Sequence, residues 1–309
     1  MKRLYCIVTA VLLTVCVGLL GSCVKDNEDI VDFDVALQFN PAILAQVKDA
    51  KSSTYPQETP FAVTACTLPS NTLWQNKYAA AEPFLNREKV EYKNGMWLPA
   101  SNCNWPHITK SLSVIAYSPF DANAQCSVVD GIEFNNVNSL ETENDLLYTD
   151  PVTDMHKNTY GGVVALPFKH ALSKISIKVK NLVDTTDIIQ VKEIRLPGIK
   201  HKGSFKSQPE AQWDLQDDKT ELVFFSGIHK SIQAPKPLGE TFKIIPQKLD
   251  THFEVDFRYY TAAGTYIDMS LSSRKVETYL QPGRSYTYTL SIGIDEVKFM
   301  LEVIDSQLH

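Results

Sequence analysis

The sequence lacks the features of several protein classes. Basic residues are in deficit, with 30 Lys and Arg against 36 Asp and Glu and a net charge of −6 at pH 7. Because nucleic-acid binding relies on Lys and Arg side chains that neutralise phosphates, this balance argues against a nucleic-acid partner. Apolar residues make up 44% and charged residues 21%. These ordinary globular values exclude disordered, collagen-like and coiled-coil proteins.

Recognisable catalytic and cofactor-binding motifs are also missing. There is no CxxC pair, and none of the seven histidines is spaced as in an HExxH zinc helix. The sequence contains no GxSxG elbow, no phosphate-binding GxxxxGKS or GxxxxGKT loop and no GxGxxG. Acidic residues are abundant, but none stands out as a pair for glycoside hydrolysis. We therefore predict that the protein is not an enzyme and uses no metal or cofactor.

The first 23 residues have the layout of a lipoprotein signal peptide. Lys2 and Arg3 precede an apolar run over residues 4–20, and Leu-Gly-Ser then leads to Cys23. The run is close to the length of a membrane-spanning helix, so an uncleaved anchor is the alternative. The end of the run matches a bacterial lipobox, which predicts cleavage between Ser22 and Cys23 and lipidation of Cys23. In both cases the folded part lies outside the cytoplasm.

Cys23 is followed by an acidic tether, VKDNED, within residues 23–32. This tether is either a solvated linker or an acidic sorting signal. Once the signal peptide is removed and Cys23 is acylated, Cys66, Cys103 and Cys126 remain, and three cysteines permit at most one disulfide. We expect them to be small buried apolar residues rather than zinc ligands.

From residue 30 onward, apolar and polar residues alternate with period two, which is typical of strands with one buried face. The clearest apolar sets are Phe33, Val35, Leu37 and Phe39; Ile175, Ile177 and Val179; Phe253, Val255, Phe257 and Tyr259; Tyr286, Tyr288, Leu290 and Ile292; and Val297, Phe299, Leu301 and Val303.

Turn residues separate these predicted strands. Asn94-Gly95 predicts a hairpin. Residues 74–87 are predicted to form a loop with a helical turn, because Pro83 interrupts them. Many short strands and almost no helix indicate β-sandwiches. The length favours two of them, an N-terminal domain over 33–168 and a C-terminal domain over 169–309, with few contacts across residues 168–172.

Three segments resemble the fimbrillin family of Bacteroidetes. They are LSVIAYSP at 112–119, DLLYTD at 145–150 and LPFKHALSKI at 166–175. Thr54-Tyr55-Pro56 ahead of Phe61, Trp97 after Asn94-Gly95, and PGRSYTY at 282–288 extend the resemblance over nearly the whole chain. It implies two tandem transthyretin-like Greek-key β-sandwich domains in the precursor of a surface pilus subunit, carried as an outer-membrane lipoprotein.

The resemblance also implies how such a subunit assembles. In that family a protease cuts after the first strand, and a strand of another subunit fills the vacated groove. Here the strand expected to be exchanged carries Phe33, Val35, Leu37 and Phe39. The candidate cleavage sites are Lys48 and Lys51, where many members carry Thr-Arg-Ala. The C-terminal set Val297, Phe299, Leu301 and Val303 is either a donor strand or simply the last strand of the second domain.

A surface glycan-binding lipoprotein is the alternative function, since it would share the lipobox, the strands and the aromatic residues. The first strand separates the two hypotheses. A pilus subunit should hold it inside a core, whereas a glycan binder should expose a flat row of Trp or Tyr. The predicted partners are other fimbrial subunits, the outer membrane through the lipid, and ligands on host or bacterial surfaces.

Overall fold

The computed structural model describes residues 32–44, 53–77, 80–159, 161–183 and 187–305. Residues from Asp34 onward belong to one compact unit. It is almost entirely β-structure, as predicted. Its elements in chain order are β1 (Gln38–Ile43), β2 (Ser53–Thr54), β3 (Phe61–Pro69), α1 (Trp74–Lys77), β4 (Glu82–Lys93), β5 (Met96–Pro99), β6 (Lys110–Ser118), β7 (Ala124–Ser127), β8 (Gly131–Asn138), β9 (Leu147–Tyr148), β10 (Val152–Met155), β11 (Val163–His170), β12 (Ser173–Asn181), β13 (Ile188–Lys200), β14 (Lys202–Lys206), β15 (Gln212–Leu215), β16 (Lys219–Lys230), β17 (Lys236–Pro237), β18 (Phe242–Ile244), β19 (Glu254–Tyr260), β20 (Tyr266–Ser272), β21 (Arg284–Ile292) and β22 (Val297–Asp305).

The predicted hairpin at Asn94-Gly95 is confirmed, and the prediction for residues 74–87 is correct only in part. The Asn94-Gly95 turn joins β4 to β5 as a hairpin, with both residues at positive φ, because Asn and Gly tolerate that conformation. The helical turn of α1 also forms. However, residues 82–87 belong to strand β4 instead of a loop, and Pro83 pairs with Cys66 near the start of that strand, where a missing N–H is tolerated.

The first half of the chain forms a sheet that closes on itself. The strands follow the order β6-β3-β4-β5-β1-β11-β9, and β9 pairs back with β6. The inward faces of these strands enclose a first core of apolar side chains. It includes Leu37, Phe39, Phe61, Trp97 and Phe168. Closure removes free sheet edges, so every strand of the ring is paired on both sides along part of its length.

The second half is a sandwich of two sheets. One has the order β17-β12-β21-β22, with β18 also on β12, and the other has the order β16-β13-β19-β20. Alternate residues of both sheets meet in a second core, for example Ile177, Tyr288, Val191 and Phe257. The period-two pattern of the sequence thus correctly predicts the buried faces of β12, β19 and β21.

A third sheet crosses the expected domain boundary. Its order is β15-β14-β8-β7, so two of its strands come from each half of the chain. It covers a third core that contains Tyr117, Phe134 and Tyr148 from the first half and Leu172 and Phe205 from the second. The two halves therefore share more contacts than the sequence predicts, because β8 of the first half pairs with β14 of the second. The division into domains 33–168 and 169–309 stays a prediction.

The described residues contain no helix with the length and apolarity needed to cross a membrane.

Candidate functional site at the first strand

Strand β1 lies between two neighbours in the closed sheet. On one side it pairs in parallel with β11, from Gln38 opposite Val163 to Ile43 opposite Phe168. On the other side it pairs first with β5, through Phe39 and Trp97, and then with β2. β1 thus closes the ring by lying between β5 and β11, both of which begin more than 50 residues after it.

The buried face of β1 begins later than the sequence predicts. Leu37 and Phe39 are buried, as expected, and so are Pro41 and Ile43. Val35 is half-buried against the same core, but Phe33 is 71% exposed. The alternation predicted from the sequence has the correct parity, but the strand runs from Gln38 to Ile43 instead of from Phe33 to Phe39. The buried side chains of Leu37, Phe39 and Ile43 each contribute roughly 1.5–3 kcal/mol to stability by leaving water.

Pro41 lies inside β1 even though proline has no N–H to donate. Successive N–H groups point to opposite sides of a strand. The N–H groups of Gln38 and Leu44 donate to the carbonyl oxygens of Gly162 and Phe168, at 3.2 and 2.7 Å. Even-numbered residues therefore face β11, and Pro41 faces the other side, where the partner of β1 changes from β5 to β2. The proline therefore leaves the pairing with β11 intact. A sequence pattern does not show on which side of the strand the missing N–H lies, so it misses Pro41 and Ile43 as strand residues.

Aromatic rings line the groove that receives β1. Tyr55 contacts Phe61, Trp97 and Phe168 with centroid distances of 5.1–5.4 Å, and Phe39 meets Phe61 edge to face at 6.2 Å. Edge-to-face pairs of this kind add to the gain from burial. The ring contacts place the predicted TYP and Trp97 positions in one cluster around the strand.

The hydroxyl of Tyr55 is satisfied inside this cluster. It lies 2.5 Å from the Ser118 hydroxyl oxygen, and burial raises the pKa of Tyr55 well above its usual value. A phenol is already uncharged at neutral pH, and the hydrogen bond to Ser118 supplies the partner that a buried hydroxyl needs.

The chain entering β1 is held by the loop that contains Trp105. The N–H of Trp105 donates to the carbonyl oxygen of Val35 at 2.8 Å, and its indole N–H donates to the carbonyl oxygen of Gly162 at 2.8 Å. Gly162 has φ +83°, and a Cβ there would lie 2.6 Å from the Val35 side chain. A glycine is therefore required where the entering chain passes β11.

The other predicted assembly residues divide into two groups. Ser22, Cys23, Lys48 and Lys51 lie outside the described residues, so their predicted roles stay predictions. The segment that contains both lysines connects β1 to β2. These two strands pair directly, with Ile43 opposite Ser53.

The C-terminal set lies on β22, which pairs with β21 over nine residues as the outer strand of its sheet. Val297 is buried, Phe299 and Leu301 pack against the second core, and Val303 is 41% exposed. In this structure β22 is thus the last strand of the second half, and a donor role stays a prediction.

The three cysteines are unpaired thiols, each partly buried. Burial raises the pKa of Cys126 to about 11 and also raises the pKa of Cys66 and Cys103. All three are therefore neutral near pH 7, which disfavours metal binding or nucleophilic chemistry. Within the part of the chain that the structure describes, no three His, Cys, Asp or Glu side chains converge in a way that could hold a metal ion.

Comparisons with known proteins agree with the architecture. A family model described as fimbrillin-like matches residues 55–305. A fimbrial protein from Bacteroides vulgatus has a similar structure, with a TM-score of 0.67, 18% identity and coverage of 87% of this chain and 99% of its own. A candidate cell adhesion protein from Bacteroides ovatus matches with a TM-score of 0.56, 13% identity and coverage of 90% and 99%. No curated protein sequence matches.

Proposed function

This chain belongs to the fimbrillin-like family, and on that basis we propose that it is a subunit of a surface pilus, or an adhesive protein associated with one. Assembly proceeds by strand exchange: a protease cuts the chain after β1, β1 leaves, and a strand of another subunit takes its place. Family membership also supports a structural role over an enzymatic one.

One observation carries the proposal. The first strand of the described chain fills the first core with a row of alternate apolar residues, and a single short segment, residues 44–52, connects it to β2. If β1 left, the ring would open between β11 and β5. The opened ring would present an apolar groove and two unpaired edges, which is the arrangement that accepts an added strand.

The incoming strand must present apolar side chains at alternate positions. The C-terminal set Val297, Phe299, Leu301 and Val303 has this pattern. Donating β22 would remove Phe299 from Phe253 and Tyr288, whose ring centroids lie 6.2 and 5.5 Å away. We therefore propose two sources for the incoming strand. It is either the β22 of a subunit in which β22 has left its own sheet, or a strand of a different kind of subunit.

Limited trypsin digestion of the purified native protein tests the mechanism. We expect mass spectrometry to show cleavage after Lys48 or Lys51, and electron microscopy to show oligomers or fibres after clipping. The variant with Lys48→Gln and Lys51→Gln should stay uncut in this segment and remain monomeric. Lys93→Gln, at the exposed end of β4 next to the β4–β5 turn, is the matched control and should behave like the parent protein.

Two results would contradict the mechanism. One is a segment at 45–52 that resists trypsin while other exposed sites are cut. The other is a clipped product that stays monomeric and still holds the β1 fragment through size-exclusion chromatography.

We also propose that Cys23 carries the lipid that attaches the precursor to the outer membrane. The lipobox and the acidic tether support this proposal. Replacing Cys23 with Ala should abolish incorporation of a labelled fatty acid in cells and leave an unprocessed precursor, while Cys66→Ala, the matched control, should label normally. Acyl labelling of the Cys23→Ala variant would overturn the assignment.

A surface glycan-binding lipoprotein is the second candidate. A glycan binder is expected to expose a flat row of Trp or Tyr instead of burying a first strand. Leu37, just before β1, and Phe39, within it, are buried, and so are Trp97 and Trp105. Burial of the first strand favours the pilus subunit as the main function.

A further inference from the structure

Strand β22 has one edge that is open along most of its length. β21 pairs with it on one side from Val297 to Asp305, without a bulge. On its other side, the backbone pairing among the described residues is a single bridge between Val297 and Ser273. Beyond Val297 the edge is therefore a straight row of backbone groups that no described strand covers. Such an edge accepts another strand.

The alternation of the backbone shows which groups face this edge. In the turn between β21 and β22, the N–H of Gly293 donates to the carbonyl oxygen of Glu296 at 2.8 Å, so the backbone of Glu296 faces β21. Successive residues of a strand direct their N–H and C=O groups to opposite sides. The backbone groups of Phe299, Leu301 and Val303 therefore face the open edge.

The side chains of β22 do little to protect the edge. Met300 is 67% exposed, Ile304 53% and Val303 41%. The strand contains neither proline nor glycine, and its alternate positions from 297 to 303 are all apolar. Outer strands are commonly protected by proline, by bulges or by charges that point inward, and positions 297–303 have none of these devices.

The open feature is the backbone edge and not the ring of Phe299. The guanidinium of Arg274 lies over that ring, 4.6 Å from its centroid. The ring also meets Phe253 and Tyr288, with centroids 6.2 and 5.5 Å away. All these contacts involve the side chain, whereas an added strand bonds to the backbone.

Two charges of opposite sign lie on the outer face of β22. Lys298 and Glu302 have side chains that are 64% and 59% exposed. Their partners within the chain are Glu296 at 2.5 Å and Lys178 at 3.3 Å, and exposed ion pairs of this kind contribute little to stability. In an antiparallel pair of two β22 strands, Lys298 of each copy approaches Glu302 of the other. A parallel pair in register would instead bring like charges together.

The bridge at Ser273 fixes where the axis of such a pair can lie. Ser273 occupies the edge beside Val297, so a second strand must end before that position. With the twofold axis at Leu301, Leu301 lies opposite its own copy, and Phe299 lies opposite Val303 of the other copy. The backbone groups of these residues face the edge, so they can exchange N–H···O bonds. An axis one residue earlier would drive Val303 of the second copy into Ser273, and an axis one residue later would set two glutamates opposite each other.

We propose that two copies of this protein form a symmetric dimer through antiparallel pairing of their β22 edges. The sheets that contain β21 and β22 then join into one continuous sheet. Met300 of each copy lies opposite Glu302 of the other, and Lys298 reaches the same carboxylate diagonally. The dimer requires no cleavage after β1 and keeps β22 in its own sheet, so it is independent of strand exchange.

Sedimentation velocity of the uncut chain from Cys23 onward tests the proposal, with Cys23→Ser so that no lipid is attached. We expect a monomer–dimer equilibrium that depends on concentration. Val303→Pro removes an N–H that faces the second copy and leaves the bonds to β21, so it should weaken dimerisation about tenfold or more.

Met300→Glu sets a carboxylate opposite Glu302 of the second copy and should weaken dimerisation by a similar factor, because like charges opposite each other repel. Met96→Glu, the same change at a position of β5 that is 40% exposed, is the matched control and should dimerise like the parent protein. Circular dichroism should show that all variants fold.

Cysteine crosslinking checks the register. Chains with Met300→Cys are mixed with chains with Glu302→Cys and treated with a mild thiol oxidant. Because these positions lie opposite each other in the proposed dimer, the mixed disulfide should form faster than either homodimer. The parent chain, whose thiols are partly buried, is the control and should not crosslink.

Several results would overturn the proposal. They are a parent protein that is monomeric at its highest soluble concentration, growth beyond the dimer, undiminished dimerisation of either folded β22 variant, and no preference for the mixed disulfide.

Discussion

Replacing Phe39 with Ala is expected to lower the free energy of unfolding by about 3–5 kcal/mol. The ring is 3% exposed, near the start of β1, and meets Phe61 edge to face. Its removal leaves a cavity between rigid aromatic rings that have little freedom to collapse into it. The neighbouring Asn40 is exposed on the opposite face of the same strand.

Denaturant unfolding followed by tryptophan fluorescence measures this effect, since Trp97 and Trp105 lie in the same core. Asn40→Ala is the matched control and should change the unfolding free energy by about 0.5 kcal/mol or less. A weaker β1 should also dissociate faster once the chain is clipped after Lys48 or Lys51. Equal stability of Phe39→Ala and Asn40→Ala would show that β1 does not support the first core.

Replacing Phe205 with Ala is expected to lower stability by a similar amount, about 3–5 kcal/mol, and to separate the unfolding of the two halves. Phe205 is fully buried in the third core. Its ring lies 5.8 Å from Phe134, 4.8 Å from Tyr148 and 5.3 Å from Trp213. Two of these partners come from the first half, so a single side chain of the second half joins the two.

Hydrogen exchange followed by mass spectrometry across a denaturant series checks this prediction. In the parent protein, peptides from β3 and β6 should open together with peptides from β12 and β21. In Phe205→Ala the two groups should open at different denaturant concentrations. Gln212→Ala, exposed on the adjoining strand β15, should leave the profile unchanged. Separate opening in the parent protein, or joint opening in Phe205→Ala, would show that the third core does not couple the halves.

Local sequence patterns were sufficient for much of the second half. In β19, Val255, Phe257 and Tyr259 alternate with polar residues and are buried as predicted. In β21 the alternation identifies Tyr286 and Tyr288 equally well. These strands each bury one face against a single core, so a period of two is enough to assign the face.

The same pattern was less informative at the first strand. It correctly predicted that Leu37 and Phe39 face inward, but not where the strand begins and ends. Phe33 continues the alternation and yet is exposed, while Pro41 interrupts it and yet is buried. The boundaries depend on which strands lie alongside, and β11 begins more than 120 residues later in the chain.

The sequence by itself determined the all-β class, the inward faces of most strands and the family resemblance, because side-chain alternation and turn residues act over a few positions. Only the tertiary structure decided that the first sheet closes through β1 and that strands of both halves form a shared sheet. These features depend on pairing between strands far apart in the chain, and short-range patterns do not specify which of many compatible edges meet.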